Sequence, residues 1–461
     1  MDSSIETLNF KLDINDLKQT FINFLKYLNY DIPDNFDQML KMLNFSITRL
    51  ENDYIRLNIK PNPPKFKTDD VVYIKYPFFQ KIVPRGFSLF FDNNFNFVMN
   101  IVGLRKFTGK SYVDDDDISD MVDNKNKQNI VLFDMNKIKK WAYYKELEII
   151  DTEKANGKAC FVSIKPSNDT YLIAFGSKNV HHLIKYEDYE EFIKKDTTNN
   201  ILKSIINDII KNFDKLILLI PYFNSNYTLC GELCDGMHFV KGDNTITWFS
   251  LSNIKGEAME PLKAFDIIDS CNLKTVSKKL VYCENSDIES LDSVFNEGKF
   301  STGEGSVLYC RNIKTNETLC CKIKTPWYIV WRMTRQILTN NPLNYSDKIK
   351  DKLISKANYT GLSTEGCIKV SKYLIEFIEW FIIKGYPVSV LGFMPVIAIK
   401  GTIDNGFVLY WNEFLKEKKP TDKTVDYYDS ETKGLILRIS KTGVRSFRLR
   451  YKMNNKTKMY T

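Results

Sequence analysis

Histidine is scarce: there are three in 461 residues, two of them the neighbours His181 and His182. Zinc sites, Ser-His-Asp triads and paired-histidine chemistry all draw on imidazole, so these classes have almost nothing to work with. The nine cysteines contain no CxxC pair; Cys230 and Cys234 are four apart, and Cys320 adjoins Cys321. Without a suitably spaced His, that pattern argues against a zinc site. The odd cysteine count fits free thiols in a reducing compartment. The first residues, MDSSIETLNF, have neither a basic n-region nor an apolar h-region. Long apolar runs are missing too: the most apolar stretch, residues 389–399, is too short to span a bilayer and contains Pro395. The expectation is a soluble, intracellular (cytoplasmic) protein with no membrane partner. A P-loop is also lacking. Gly109-Lys110-Ser111 is preceded by Gly103, one residue too far for G-x-x-x-x-G-K-[ST], and the acidic run 114–117 follows where a helix should begin.

What is present is ordinary for a globular chain: 43% hydrophobic, 26% charged and 13% aromatic residues. The length predicts two or three domains. With 65 Lys+Arg against 57 Asp+Glu, the net charge is +8, which permits a polyanionic partner without requiring one.

Residues 1–60 read as helical, with an apolar stripe at Leu17, Phe21, Phe24, Leu25 and Leu28. The Pro-rich segment 60–67 breaks the pattern. Strand-like runs follow at 71–76, 86–91, 95–102, 147–150, 158–164 and 170–175, then at 216–220, 228–233, 246–251 and 306–311, with a helical interruption over 186–213. This mixture predicts an α+β architecture. Beyond residue 325 the stretches 327–338 and 370–383 read as amphipathic helices. The end turns strand-like again, with a hairpin turn at 441–443; residues 432–461 carry nine Lys or Arg and no acidic residue. The predicted division is a helical N-terminal extension (1–70), a central domain (71–325), and a mainly helical C-terminal domain with a basic tail (326–461).

The central region holds five short motifs in order. Lys154-Ala155-Asn156-Gly157 is a Lys-x-x-Gly turn between two strand-like runs, where the glycine permits close backbone approach to a phosphate. Gly231-Glu232 lies at a strand end. The run 246–251 carries Trp248 and Phe249, and period-two alternation lets only one of them face a pocket; Phe249 is the favoured one. Glu304-Gly305 leads into an apolar strand. Lys322 and Lys324, two apart, point to one strand face. Singly, each of these motifs reads better as a turn, a core strand or a solvated face than as a functional site. Their order makes them informative.

That ordered set resembles motifs I, III, IIIa, IV and V of the covalent nucleotidyltransferases, which comprise ATP-dependent RNA ligases, DNA ligases and mRNA guanylyltransferases. Asn rather than Asp before Gly157 is similar to RNA ligases of large bacteriophages and related viruses. So are the Arg85-Gly86 strand, the Lys106-Phe107 element and the FGSK segment (175–178). The resemblance covers residues 71–325 and implies a nucleotidyltransferase (ATP-grasp-like ligase) fold of antiparallel sheets with flanking helices. It implies an ATP-dependent RNA ligase that joins RNA 5′-phosphate and 3′-hydroxyl ends through a lysyl-AMP and an RNA-adenylate. Alternatives are an mRNA guanylyltransferase, a DNA ligase, or a non-catalytic RNA-binding homologue. The implied partners are RNA and ATP with Mg²⁺ or Mn²⁺, and no obligate protein partner.

By the same resemblance Lys154 is the nucleophile, and Lys322 and Lys324 hold the α-phosphate. Glu304 is the metal-proximal carboxylate, Glu232 contacts the ribose or the incoming RNA end, and Phe249 stacks on adenine. Glu153 helps recognise adenine, Arg85 and Lys106 take the β- and γ-phosphates, and Gly157 shapes the turn. A free Lys titrates near 10.4, so the nucleophile needs a field that disfavours its ammonium form. Lys322, Lys324 and a metal are the expected sources of that field.

Overall fold

The computed structural model describes residues 10–51, 53–65, 69–109, 133–195, 199–234, 244–297, 304–325, most of 328–337, 345–355, 363–385, residues 413, 414 and 417, and the strand segments 425–427, 434–439, 445–453 and 456–460. The Lys110-Ser111 pair, the acidic run 114–117, Gly303, the apolar stretch 389–399 and the turn 441–443 lie outside them.

The first sheet is built from β1 (Leu43–Arg49), β2 (Ile55–Pro61), β3 (Phe87–Phe91) and β4 (Phe97–Val102), in that order. The helical reading of residues 1–60 therefore holds only in part. The apolar stripe forms the helix Leu17–Tyr27, whose Asp16 cap accepts from Gln19 N. Residues 43–61, in contrast, form a β-hairpin. Its inward residues Ile55, Leu57 and Ile59 alternate and pack on Phe21, Phe24 and Leu25 of that helix. Asp53, at φ 65°, turns the chain. Because β2 pairs with β3, this sheet runs across the boundary set near residue 70.

Two further predicted strands are helical. Residues 71–76 fall in the helix Asp70–Lys75 and its cap. Adjacent Val72 and Tyr73 are both buried against Phe79 and Ile82, a one-sided pattern that no alternating strand provides. Residues 216–220 are helical turns. Leu216 and Leu219 are buried while Leu218 is 59% exposed, which is a period of three rather than two.

The next two sheets meet at the proposed nucleophile. One has the order β11-β5-β12-β13 and is made of β5 (Leu147–Glu153), β11 (Lys278–Tyr282), β12 (Gly305–Asn312) and β13 (Thr318–Lys324). The other has the order β10-β9-β6-β7-β8. Its members are β6 (Lys158–Ser167), β7 (Thr170–Gly176), β8 (His181–Lys185), β9 (Thr228–Cys234) and β10 (Thr245–Ser252). Every ladder between these strands is antiparallel.

β6 and β7 are apolar on both faces because both are covered. Phe161, Leu172 and Ala174 pack towards Phe90, Met99 and Ile101 of the first sheet. Val162, Ile164, Ile173 and Phe175 pack against the helix Asn200–Lys211 through Leu202, Ile205, Ile206 and Ile209, which recur at helical spacing. The adjacent histidines are absorbed here. His181 is fully buried, with Nδ1 2.7 Å from Ser88 Oγ of the first sheet. Burial, then Arg56, holds its pKa down to about 3, so it is neutral.

Beyond β13 come helical residues within 328–337 and the helices Tyr345–Ser355 and Thr364–Ile383. A fourth antiparallel sheet has the order β14 (Val425–Tyr427), β15 (Gly434–Ile439), β16 (Arg445–Met453), β17 (Lys456–Tyr460). No helix among the described residues is long and apolar enough to cross a membrane.

Candidate active site

Residues 154–157 are the link between two sheets: β5 ends at Glu153 in one and β6 begins at Lys158 in the other. The link is tied at both ends. Lys154 N–H donates to Gly305 O at 2.8 Å. At Gly157 a Cβ would collide with the Leu233 carbonyl, so the turn fits against β9 only because it is glycine. The Gly157 N–H is near enough to the Glu232 carboxylate to draw its pKa down. The β6–β9 register sets Glu232 opposite Ala159, and the β12–β13 register sets Gly305 opposite Lys324 and Val307 opposite Lys322.

These elements enclose a cavity of about 270 Å³. Arg85, Lys106, Glu153, Lys154, Glu232, Phe249, Glu304, Lys322 and Lys324 all line it. Gly157 is outside the lining and acts through its backbone. The β9–β10 register shifts between Trp248 and Ser250. Trp248 is buried in the core against the helices, while Phe249 reaches the cavity. The Phe249 carbonyl accepts from Tyr309 OH at 3.3 Å. Lys106 is only 3% exposed; Gln80 Nε2 donates to its carbonyl at 2.6 Å, and Lys322 N–H donates to Thr108 O at 3.3 Å, which ties this loop to β13.

Lys154 Nζ lies 3.0 Å from Glu304 Oε1, and Asn156 Nδ2 donates to Glu304 Oε2 at 2.7 Å. Burial works against the Lys154 ammonium, but Glu304 and then Glu232 outweigh it and hold its pKa above the ordinary lysine value. This corrects the expectation that cations set the field at the nucleophile: within the protein itself, two carboxylates dominate. Glu304 is also buried. Its desolvation is outweighed by Lys154, Lys324 and Asn156, which keep its pKa below the usual range. Burial, with Glu304 adding to it, pushes Glu232 up to about 7, and its Oε2 is buried with no hydrogen-bond partner.

Eight Lys or Arg side chains and three Glu line the cavity, so it favours an anion. Several contributors were not singled out from the sequence. Asn156 was legible only as the variable position of Lys-x-x-Gly, and Lys178 lies in the FGSK segment. Asp69 lies 2.9 Å from Lys178 Nζ and 3.8 Å from Arg85 NH2. Tyr328 sits with its ring centroid 5.8 Å from Lys324 Nζ. Arg332 comes from the helical residues after β13. An Asp after a Pro-rich break or an Arg in a helix carries no signal that separates it from surface charge.

No family model matches the chain, and no curated protein matches it. Among solved structures it is similar to form 1 of an archaeal ATP-dependent RNA ligase, at 11% identity over 79% of this chain and 80% of that one, with a TM-score of 0.45. Form 2 of that ligase gives 12% identity over the same shares, with a TM-score of 0.44. It is also similar to a mutant Naegleria gruberi RNA ligase with ATP and Mn, at 16% identity over 42% of this chain, with a TM-score of 0.29. That last match spans about half the Naegleria chain, 54% of its length.

Proposed function

We propose that this chain is an ATP-dependent RNA ligase that joins 5′-phosphate and 3′-hydroxyl RNA ends. The observation that carries the reading is the placement of Lys154. It stands on a link between two sheets, in contact with Glu304, at the wall of a cation-lined cavity into which β13 brings Lys322 and Lys324.

A phosphate monoester is a poor electrophile, and covalent catalysis divides its activation into easier steps. Lys154 Nζ, as the free amine, attacks the ATP α-phosphorus. A P–N bond forms, the bond to the β-phosphate oxygen breaks, and pyrophosphate leaves. Lys322 and Lys324 hold the α-phosphate and stabilise the charge that develops on it. Arg85 and Lys106 suit the β- and γ-phosphates, Phe249 stacks on adenine, and Glu153 stands beside it. An RNA 5′-phosphate oxygen then displaces Lys154, giving RNA-adenylate. Finally an RNA 3′-oxygen attacks the 5′-phosphorus and AMP departs.

Lys154 must first lose the proton that Glu304 stabilises. Glu232, with its free buried oxygen and a pKa near neutrality, is the group placed to hold a proton or a ribose hydroxyl. A divalent ion fits the donor set. Mg²⁺ and Mn²⁺ favour oxygen ligands, and Mg²⁺ is commonly bound through one or two carboxylates plus substrate phosphates. Glu304 and Glu232 supply that number, and the described residues contain no denser cluster of metal-ligating side chains. When bound, the ion supplies positive charge that offsets the carboxylate field at Lys154.

The test is labelling. Incubation with α-labelled ATP and a divalent ion should give a labelled protein that survives denaturing electrophoresis, and Lys154→Ala should abolish it. Labelling by GTP alone, or no adduct with ATP, would overturn the reading. Ligation of a 5′-phosphate RNA, compared with the equivalent DNA, tests the choice of polynucleotide.

A further inference from the structure

Three of the cations that line the cavity, Arg85, Lys106 and Lys178, act on one carboxylate, that of Asp69. Asp69 is the cap residue of the helix Asp70–Lys75, where an Asp side chain ordinarily accepts a hydrogen bond from the first turn. Here it makes no such bond. Its Oδ2 lies instead 2.9 Å from Nζ of Lys178, in the turn between β7 and β8, and 3.8 Å from NH2 of Arg85, just before β3. Burial works against the Asp69 charge, but Arg85, then Lys178 and Lys106, outweigh it and hold its pKa below the usual carboxylate value. Asp69 is not part of the cavity lining, although all three cations are. The carboxylate therefore stands beside the cations and outside the space a ligand fills.

Like charges gathered on one wall repel. The side chains of Lys178 and Arg85 are 39% and 33% exposed, so both have water to turn to. Holding such long side chains in one geometry costs rotamer entropy. A fixed carboxylate offsets both costs before a ligand arrives. It also has an opposite effect, because its charge weakens the pull of the wall on an anion. Position decides between the two: a carboxylate inside the cavity would compete with phosphate, and Asp69 lies outside it. We propose that Asp69 is a positioning residue for the polyphosphate of ATP, holding Lys178 and Arg85 toward the cavity. That the anion is ATP rests on the ligase reading; the placement of Asp69 beside the cations does not.

The full chain is titrated with inorganic tripolyphosphate by calorimetry, without nucleotide or divalent ion, so that the cations are read apart from catalysis. Asp69→Ala should weaken binding roughly 5-fold, the scale of one partly exposed ion pair. Asp69→Asn keeps an oxygen that can accept from Lys178 Nζ, and its affinity should fall between those of the unmodified and alanine proteins. In a Lys178→Ala protein, Asp69→Ala should cost less than in the unmodified chain, because one of the side chains it holds is gone. Tighter or unchanged binding in Asp69→Ala, or the same loss in both backgrounds, would overturn the proposal.

Two half-reactions separate positioning from folding. With α-labelled ATP and a divalent ion, Asp69→Ala should raise the KM for labelling roughly 5-fold and change kcat little. Sealing of a pre-adenylated RNA needs no β- or γ-phosphate, so the ratio of labelling to such sealing should fall when ATP is below its KM. An equal fall in both would mean that Asp69 serves the fold alone, and the proposal would be wrong. No labelling of the unmodified protein by ATP counts against the ligase reading and leaves the tripolyphosphate comparison standing.

Discussion

Glu232→Gln isolates the electrostatics of the pocket. In the folded protein Lys154 and Glu304 form a buried pair, and ionised Glu232 would set a second carboxylate charge beside Glu304 out of water. Burial, with Glu304 adding to it, raises Glu232 from 4.5 to about 7, against the opposing pull of Lys154 and the Gly157 N–H. Between those two values the unfolded chain has lost the proton and the folded chain retains it. Stability therefore falls as pH rises through the window. At about 1.36 kcal/mol per pH unit, the group costs the folded state on the order of 3 kcal/mol once pH exceeds its folded pKa. Gln keeps the shape and cannot ionise. Urea unfolding from about pH 5 to about pH 8 should show the unmodified protein losing stability relative to Glu232→Gln, with most of the divergence complete by about pH 7. Two curves that stay parallel across that range would refute the charge balance assigned to Lys154, Glu304 and Glu232.

Two other substitutions test the pocket walls. Phe249→Ala should weaken ATP binding about 10–100-fold, from a stacking contribution of about 1–3 kcal/mol, and an unchanged Kd for ATP would remove Phe249 from the adenine site. Asn156→Ala deletes a 2.7 Å hydrogen bond to the Glu304 carboxylate and should cost about 1.5–3 kcal/mol of unfolding free energy. Asn156→Asp should be worse still near neutral pH, because it sets a second carboxylate against Glu304. Urea unfolding that ranks Asp equal to or better than Ala would contradict that geometry.

Much of the site was legible along the chain because its parts are local. Lys154-Ala155-Asn156-Gly157 is a turn bounded by strands, and Lys322 and Lys324 share a face by alternation. Trp248 and Phe249, being consecutive in a strand, divide between core and cavity. Where local pattern failed, tertiary packing had decided. Residues 71–76 are β-branched and aromatic, yet Val72 and Tyr73 share one buried side and so form a helix. The run 216–220 is wholly apolar, and only the exposure of Leu218 between buried Leu216 and Leu219 reveals its period. The hairpin 43–61 is a strand pair because β3 offers β2 an edge.

The sequence by itself determined which residue types gather at the cavity and their order along the chain. It did not determine the charge state of Lys154. Asn156 and Glu304 are 148 residues apart and hydrogen-bond because β5 and β12 are neighbours in one sheet. That pairing brings a carboxylate to Lys154 and reverses the expected sign of its pKa shift. A pKa is set by distance and desolvation, and both exist only once the sheets have formed.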